Sequence, residues 1–273
     1  MRGVYINLDR DTSRRADIEQ SFALANAANW TLERFPAVDI KYVTDHAIPG
    51  RIAPAEKGCF LSHKHIMMQN RHQTESFFIT EDDAVFSPNS HSIIEDLLQK
   101  IEGAAEWDLL FTDIGIPAIG VMVDILKMTQ DVFKKGTIEL VNLAQLSSFF
   151  GSTAYVINHK SIPKILALMG DDPLDLPYDL FLRSMIHKGK INAYVTVPFI
   201  TSVSDGGLSS SIQGSEFAKT DLVWNLFRKM VWLGGGDFDP TEMLNKLLGD
   251  LDPRSRQYGA LWAIMCDPSF TPK

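Results

Sequence analysis

The chain has 273 residues, with 26 basic and 34 acidic side chains and a formal net charge of −8. That length suits one large domain or two small ones with their own cores, and 45% hydrophobic with 22% charged residues is ordinary globular composition. A net acidic chain argues against sequence-independent nucleic-acid binding, so no nucleic-acid partner is expected.

The N-terminal segment Val4-Tyr5-Ile6-Asn7-Leu8 is too short for a signal peptide or a membrane span. It is β-prone and hands over to Thr12 or Ser13 as a helix cap, with Ile18, Phe22 and Ala25 along one helical face. A second helix is predicted after Pro54, carrying Glu56, Cys59, His63, Ile66 and Met67, followed by a strand over Glu75 to Thr80. Ser90 opens a third helix (Ile93, Ile94, Leu97, Leu98, Ile101), and Trp107 to Thr112 is the next strand. Gly115 to Leu146, interrupted by Gly115, Pro117 and Gly120, is expected to be irregular, a flexible active-site loop too broken to cross a bilayer. The pattern resumes with a strand over Thr153 to Asn158, a helix from Ser161 to Met169 that stops at Gly170, a short helix from Asp179 to Ile186, and a strand from Ile191 to Val197. Such alternation argues for an α/β sheet covered by helices.

After Val197 the character changes. Ser202 to Ser211 is rich in serine and glycine, and Phe217 to Leu233 places Trp224, Phe227, Met230, Val231 and Trp232 beside Lys219, Arg228 and Lys229. Two uses are open for such an amphipathic helix: peripheral contact with a membrane surface, or packing on the core or on a second copy in a homo-oligomer. Only two cysteines occur, Cys59 and Cys266, so no disulfide framework is implied and the cytoplasm, extending to the inner membrane surface, is the expected location.

The strongest chemical signal is Phe77-Phe78-Ile79-Thr80-Glu81-Asp82-Asp83, three carboxylates at the end of an apolar strand that repel one another without a cation. If strand geometry persists, Glu81 and Asp83 share a face and grip one ion while Asp82 points away. Oxygen ligands favour Mg²⁺ or Mn²⁺, and in open α/β sheets ligands sit beyond strand carboxyl ends. The plainer alternative is a solvated acidic turn. A second cluster, Glu56 to His65, puts Cys59 and His63 one helical turn apart, a spacing that with His65 would resemble a zinc site lacking a fourth ligand. Ser62 and His63 are alternatively hydrogen-bond donors to a ligand, or His63 a satisfied core histidine. Asn7, Leu8, Asp9 and Arg10, with Arg14 and Arg15, form a third cluster suited to a phosphate or a nucleotide edge, or simply solvated.

In order along the chain, these pieces resemble glycosyltransferase family 25, the lipooligosaccharide galactosyltransferase type. Val4 to Arg10 with Arg14 and Arg15 is similar to the family's opening INL-x-R…R segment, and Phe35-Pro36-Ala37-Val38-Asp39 to F-x-A-V-D. Glu56 to His63 resembles E-x-G-C-x-x-S-H, and Glu81-Asp82-Asp83 resembles EDD. Gly151 to Ile157 resembles G-T-x-A-Y-x-I, Pro177-Tyr178-Asp179 resembles P-x-D, and Pro198 with Ser211-Ile212 the closing P…S-x-I. Several short motifs in a fixed order are far more specific than any one of them.

The resemblance implies a GT-A-like single Rossmann-type domain over residues 1–212, with a mixed, mostly parallel sheet, and a helical C-terminal extension over 213–273. It implies a hexosyltransferase that moves a sugar from a UDP-sugar donor to a glycan acceptor, with Mn²⁺ or Mg²⁺ held by Glu81 and Asp83. Asn7, Leu8, Arg10, Arg15, Ser62, His63, Glu81 and Asp82 would line the donor site. For inverting transfer a carboxylate must accept the acceptor hydroxyl's proton; Asp179 is the first candidate and Asp113 the reserve. A Mg²⁺-dependent phosphohydrolase and a non-catalytic nucleotide-binding subunit are the competing classes.

Overall fold

The computed structural model describes residues 1–25, 30–102, 106–204 and 218–234. β1 (Arg2–Asn7) leads into α1 (Thr12–Leu24), then β2 (Thr31–Pro36), the short α2 (Ile40–Asp45) and α3 (Pro54–Gln69). β3 (Phe77–Glu81) and β4 (Ala84–Phe86) flank the acidic turn, before α4 (Ser90–Glu102) and β5 (Leu109–Phe111). Next come α5 (Ile119–Lys135), β6 (Glu139–Asn142), β7 (Ala154–Ile157), α6 (Ile162–Met169), α7 (Tyr178–His187), β8 (Ala193–Val197), β9 (Thr201–Val203) and α8 (Ala218–Met230).

Seven strands form one sheet in the order β2-β1-β3-β7-β5-β8-β6, and β4 pairs with β9 in a small antiparallel ribbon. β2, β1, β3, β5 and β8 point one way, and β7 and β6 oppose them. The α/β reading with a mixed, mostly parallel sheet is therefore what the chain adopts.

Strand alternation divides the core. Val4, Ile6, Phe77 and Ile79 face the layer built by α3, α5, α6, α7 and α8, whereas Tyr5 and Phe78 face α1 and α4. With helices on both faces the central strands are buried on both sides, which is why they are nearly continuous apolar runs.

The segment expected to be an irregular loop, Gly115 to Leu146, instead contains α5 and β6. Gly115 and Pro117 precede the helix rather than break it, and Met122, Ile125, Thr129 and Val132 are buried at helical spacing. Gly115 bridges Phe150, and a Cβ there would lie 2.4 Å from that ring, so its glycine answers a close approach.

α8 packs into the main core. Leu226, Phe227 and Val231 are buried, and Trp224 meets Phe150 edge-on with ring centroids 4.9 Å apart. The expected P…S-x-I pair Ser211-Ile212, Cys266 and most of the 213–273 extension lie outside the described residues. Among the described residues no helix is long and apolar enough to cross a membrane.

One polar group in the α1–α4 layer predicts an acid response. His91 is fully buried, with the rings of Phe22, Trp30 and Phe86 at 4.6, 4.5 and 5.6 Å. Burial lowers its pKa from 6.5 to about 4, against the pull of Glu95, while the chain's amino group pushes the same way as burial. The unfolded chain therefore takes up this proton first as pH falls, and stability is lost progressively between about 6.5 and 4. His91→Phe should flatten that part of the pH dependence in thermal unfolding, and an unchanged slope would rule His91 out as its source.

Candidate active site

β1 and β3 run side by side and in the same direction, with Ile6 opposite Glu81, so Asn7 and the acidic turn emerge together. Asn7 is buried; its Nδ2 donates to Asp82 Oδ2 at 2.7 Å, and its Oδ1 accepts from Arg34 Nε at 3.0 Å. Arg14, one turn into α1, reaches the same point and pairs with Asp82 at 2.6 Å and Asp83 at 3.2 Å. The expected cation among the acids is thus in part a guanidinium of the chain itself. The strand ends at Glu81, so alternation does not continue through the turn. Asp82 does not point away from its neighbour, since both aspartates share Arg14. Asp83 Oδ1 is buried without a hydrogen-bond partner, and burial with the nearby Glu81 charge raises the Asp83 pKa to about 6.

Glu81 turns elsewhere. Its Oε1 accepts from Ser152 Oγ at 2.8 Å and lies 3.7 Å from His63 Nε2. His63 is fully buried, hydrogen-bonded through Nδ1 to Tyr155 Oη and stacked on Tyr178 with centroids 4.1 Å apart. One residue before Ser152, the Gly151 N–H donates to Asp179 Oδ2 at 2.9 Å, and the Leu180 N–H donates to Oδ1 at 2.8 Å. Burial pushes the Asp179 carboxyl up, while these two N–H groups oppose the shift.

A small cleft, with a volume of about 80 Å³, opens beside the acidic turn. Its walls include Asn7, Leu8, Arg10 and Arg14 on one stretch, Ala37 to Ile40 on another, and Ala55, Cys59 and Ser62 of α3, with Glu81 and Asp82. Asp11, which precedes α1, and Ala55, in the first turn of α3, put two helix N-termini at the cleft, where backbone N–H groups favour an anion.

The sequence profile of Glycosyltransferase family 25 (LPS biosynthesis protein) matches residues 1–182. The chain belongs to glycosyltransferase family 25. A curated relative, the "Glycosyltransferase 25 family member" of Drosophila melanogaster, is 28% identical over 200 residues, which is 67% of this chain and 30% of that protein. The chain thus spans under a third of that relative's length. Among solved structures, the inositol-1-phosphate CTP transferase from T. maritima gives a TM-score of 0.37 at 11% identity, over 80% of this chain and 93% of that one. That likeness is too distant to inform the site.

The geometry gives this family 25 chain's motifs separate tasks. In the E-x-G-C-x-x-S-H segment, Glu56 caps α3 by accepting from the Ala53 N–H at 2.8 Å. Gly58 lets the F-x-A-V-D segment lie against the helix, because a Cβ there would stand 2.3 Å from the Val38 carbonyl oxygen. Ser62, expected to donate to a ligand, is instead spent within the fold: it accepts from the Val38 N–H and donates to the Gly58 carbonyl, both at 2.8 Å. His63 does not line the cleft, and His65 lies near Tyr42 rather than with Cys59 and His63.

Leu8 and Arg10 line the cleft, whereas Arg15 does not; it pairs with Glu19 on the outer face of α1. Helical spacing separates these arginines. Arg14 lies one turn before the buried Ile18, so it shares the inward face. Asp113 does not suit the role of proton acceptor: it is fully buried, Arg228 of α8 binds its Oδ2 through Nε and Nη2, and its Oδ1, although without a hydrogen-bond partner, is shut away from any acceptor sugar. Arg228 is the residue the sequence reading lacked there, since only the fold brings position 228 to position 113.

Two outcomes test this construction. Gly58→Ala should cost about 1–3 kcal/mol through overpacking against Val38, and should weaken any ligand of the cleft; denaturant unfolding with wild-type stability would remove the close-approach account. Arg14→Met should cost about 3 kcal/mol, because Asp83 loses its cation while Asp82 keeps the Asn7 amide. Adding Asp83→Asn should restore part of it, as a double-mutant cycle would measure.

Proposed function

We propose that the chain is a metal-dependent hexosyltransferase. It takes a hexose, galactose as first choice, from a UDP-sugar and passes it with inversion to a saccharide acceptor in bacterial surface glycan (LPS or LOS) synthesis. Its place of action would be the cytoplasm or the inner membrane surface. The observation that carries this reading is the mixed charge of the cleft. Arg10 and two helix N-termini suit the phosphates of a nucleotide diphosphate, while Glu81 and Asp82 line the same space and repel them.

A divalent cation fits that conflict. Three carboxylates paired with the one guanidinium of Arg14 leave an excess of negative charge at the turn, and Asp83 keeps a buried oxygen without a partner. Glu81 and Asp83, with Asp82, are the residues that would hold it, and their oxygens suit Mn²⁺ or Mg²⁺. Such an ion, when bound, supplies the charge that stabilises a departing diphosphate.

The chain's own groups do the remaining work. Arg10 and the N–H groups at the starts of α1 and α3 orient the diphosphate. Asp179 takes the proton of the acceptor hydroxyl: its raised pKa suits a base, and the Gly151 and Leu180 N–H groups fix its carboxylate.

Calorimetric titration of UDP should show affinity that rises with Mn²⁺, with the gain absent in Asp83→Asn. Affinity indifferent to Mn²⁺ would reject the metal role. In a donor panel read by the mass of the transferred sugar, Asp179→Asn should lower kcat by about 10²–10⁴ with UDP affinity unchanged, and a near-normal kcat would remove Asp179 as the base.

A further inference from the structure

We propose that Cys59, His63 and Glu81 form a binding site for a thiophilic divalent transition-metal ion of the zinc class, which shares Glu81 with the all-oxygen cation site above but takes a sulfur and an imidazole nitrogen as its other ligands, and which does not rest on the transferase reading. One ligand atom from each residue lies within 4.8 Å of the other two. Four-coordinate zinc, with bonds of about 2.0–2.3 Å, holds its ligand atoms roughly 3.3–3.8 Å apart. The His63 Nε2 to Glu81 Oε1 separation is already 3.7 Å, so the triad needs at most about 1.5 Å of contraction.

The second observation is His63 itself. The ring is fully buried, and Nε2 has no hydrogen-bond partner although it faces Glu81. At 3.7 Å that contact is too long for a hydrogen bond, and a buried ring nitrogen left unpaired is costly. Its other nitrogen is held as in metal-binding histidines. In the tautomer with a lone pair on Nε2, Nδ1–H donates to Tyr155 Oη at 2.8 Å, and the Tyr155 hydroxyl sits 2.8 Å from Tyr178 Oη. Stacking on Tyr178, 13° from parallel, fixes the ring plane.

Cys59 and His63 stand one turn apart on α3, so a rigid element presents both. Glu81 arrives from the end of β3 and takes the place that His65 would have filled in a sequence-local site. A thiolate, an imidazole and a carboxylate select zinc or cobalt over magnesium. On ligation the Cys59 thiol gives its proton to solvent, and thiolate plus carboxylate balance the ion's two charges. Cys59 and Glu81 also line the cleft, so a fourth position facing it would be left for water or a ligand.

Co²⁺ as the spectroscopic stand-in tests this on the metal-free full chain without nucleotide. The wild type should bind one equivalent and show a thiolate-to-cobalt charge-transfer band, which Zn²⁺ displaces. Cys59→Ser should lose the band, His63→Gln should weaken binding more than about tenfold, and Asp83→Asn should keep both. No thiolate band in the wild type, or one that survives Cys59→Ser, overturns the site. If the variants do not fold, iodoacetamide labelling of the wild type with peptide mapping decides: Zn²⁺ should protect Cys59 and not Cys266, and equal labelling of Cys59 with and without Zn²⁺ overturns the proposal. Loss of Mn²⁺-dependent UDP binding with the cobalt band intact would sink the transferase metal role alone.

Discussion

The site depends on one electrostatic constraint: three consecutive carboxylates at the exit of a buried strand must be compensated where water is scarce. At short range in a partly dry setting their repulsion amounts to several kcal/mol, so the fold brings partners from distant parts of the chain. Arg14 comes from α1, the Asn7 amide from β1 and the Ser152 hydroxyl from the approach to β7. Each contact also fixes an element. Arg14 pins α1 over the end of the sheet, and Asn7 ties the parallel β1–β3 register to the turn. The same interactions that make the acids tolerable therefore shape the cleft.

The end of β3 then divides these acids by role. Glu81 is still in the strand and takes the direction its register dictates, toward Ser152 and His63; Asp82 and Asp83 are in the turn and face Arg14. Glu81 thereby stands between two environments, the carboxylates of the turn on one side and the Cys59 sulfur and His63 imidazole on the other.

Much of the fold was legible because its elements obey local rules. The apolar runs of β1, β3, β5, β7 and β8 and the periodic faces of α3, α4 and α6 follow directly from spacing. α5 was not, because Gly115, Pro117 and Gly120 weigh against a helix while the buried positions from Met122 to Val132 argue for one, and burial prevailed. In the site, Asn7, Leu8, Arg10, Glu81 and Asp82 were recognisable as residue types in a known order. The roles of Ser62 and Arg15 were not, because a hydroxyl or a guanidinium gives no sign in sequence of whether the fold has already used it. Glu81 as a neighbour of Cys59 and His63 was invisible for another reason: the contact joins a helix to a strand across the sheet's end.

α8 shows how far the working unit extends beyond the matched family segment. Arg228 is 5% exposed, and besides Asp113 it donates to Thr153 Oγ1 at 2.8 Å. The Thr153 carbonyl in turn accepts from the Glu81 N–H at 2.7 Å and from Thr80 Oγ1 at 2.9 Å. A continuous hydrogen-bonded path thus leads from a helix past residue 182 to the backbone that sets the acidic turn. Removing either partner of a buried ion pair strands the other at a cost of several kcal/mol, so Asp113 and Arg228 depend on each other. With Leu226, Phe227 and Val231 in the main core, α8 supports the site from behind and is part of the structure that holds the carboxylates in place.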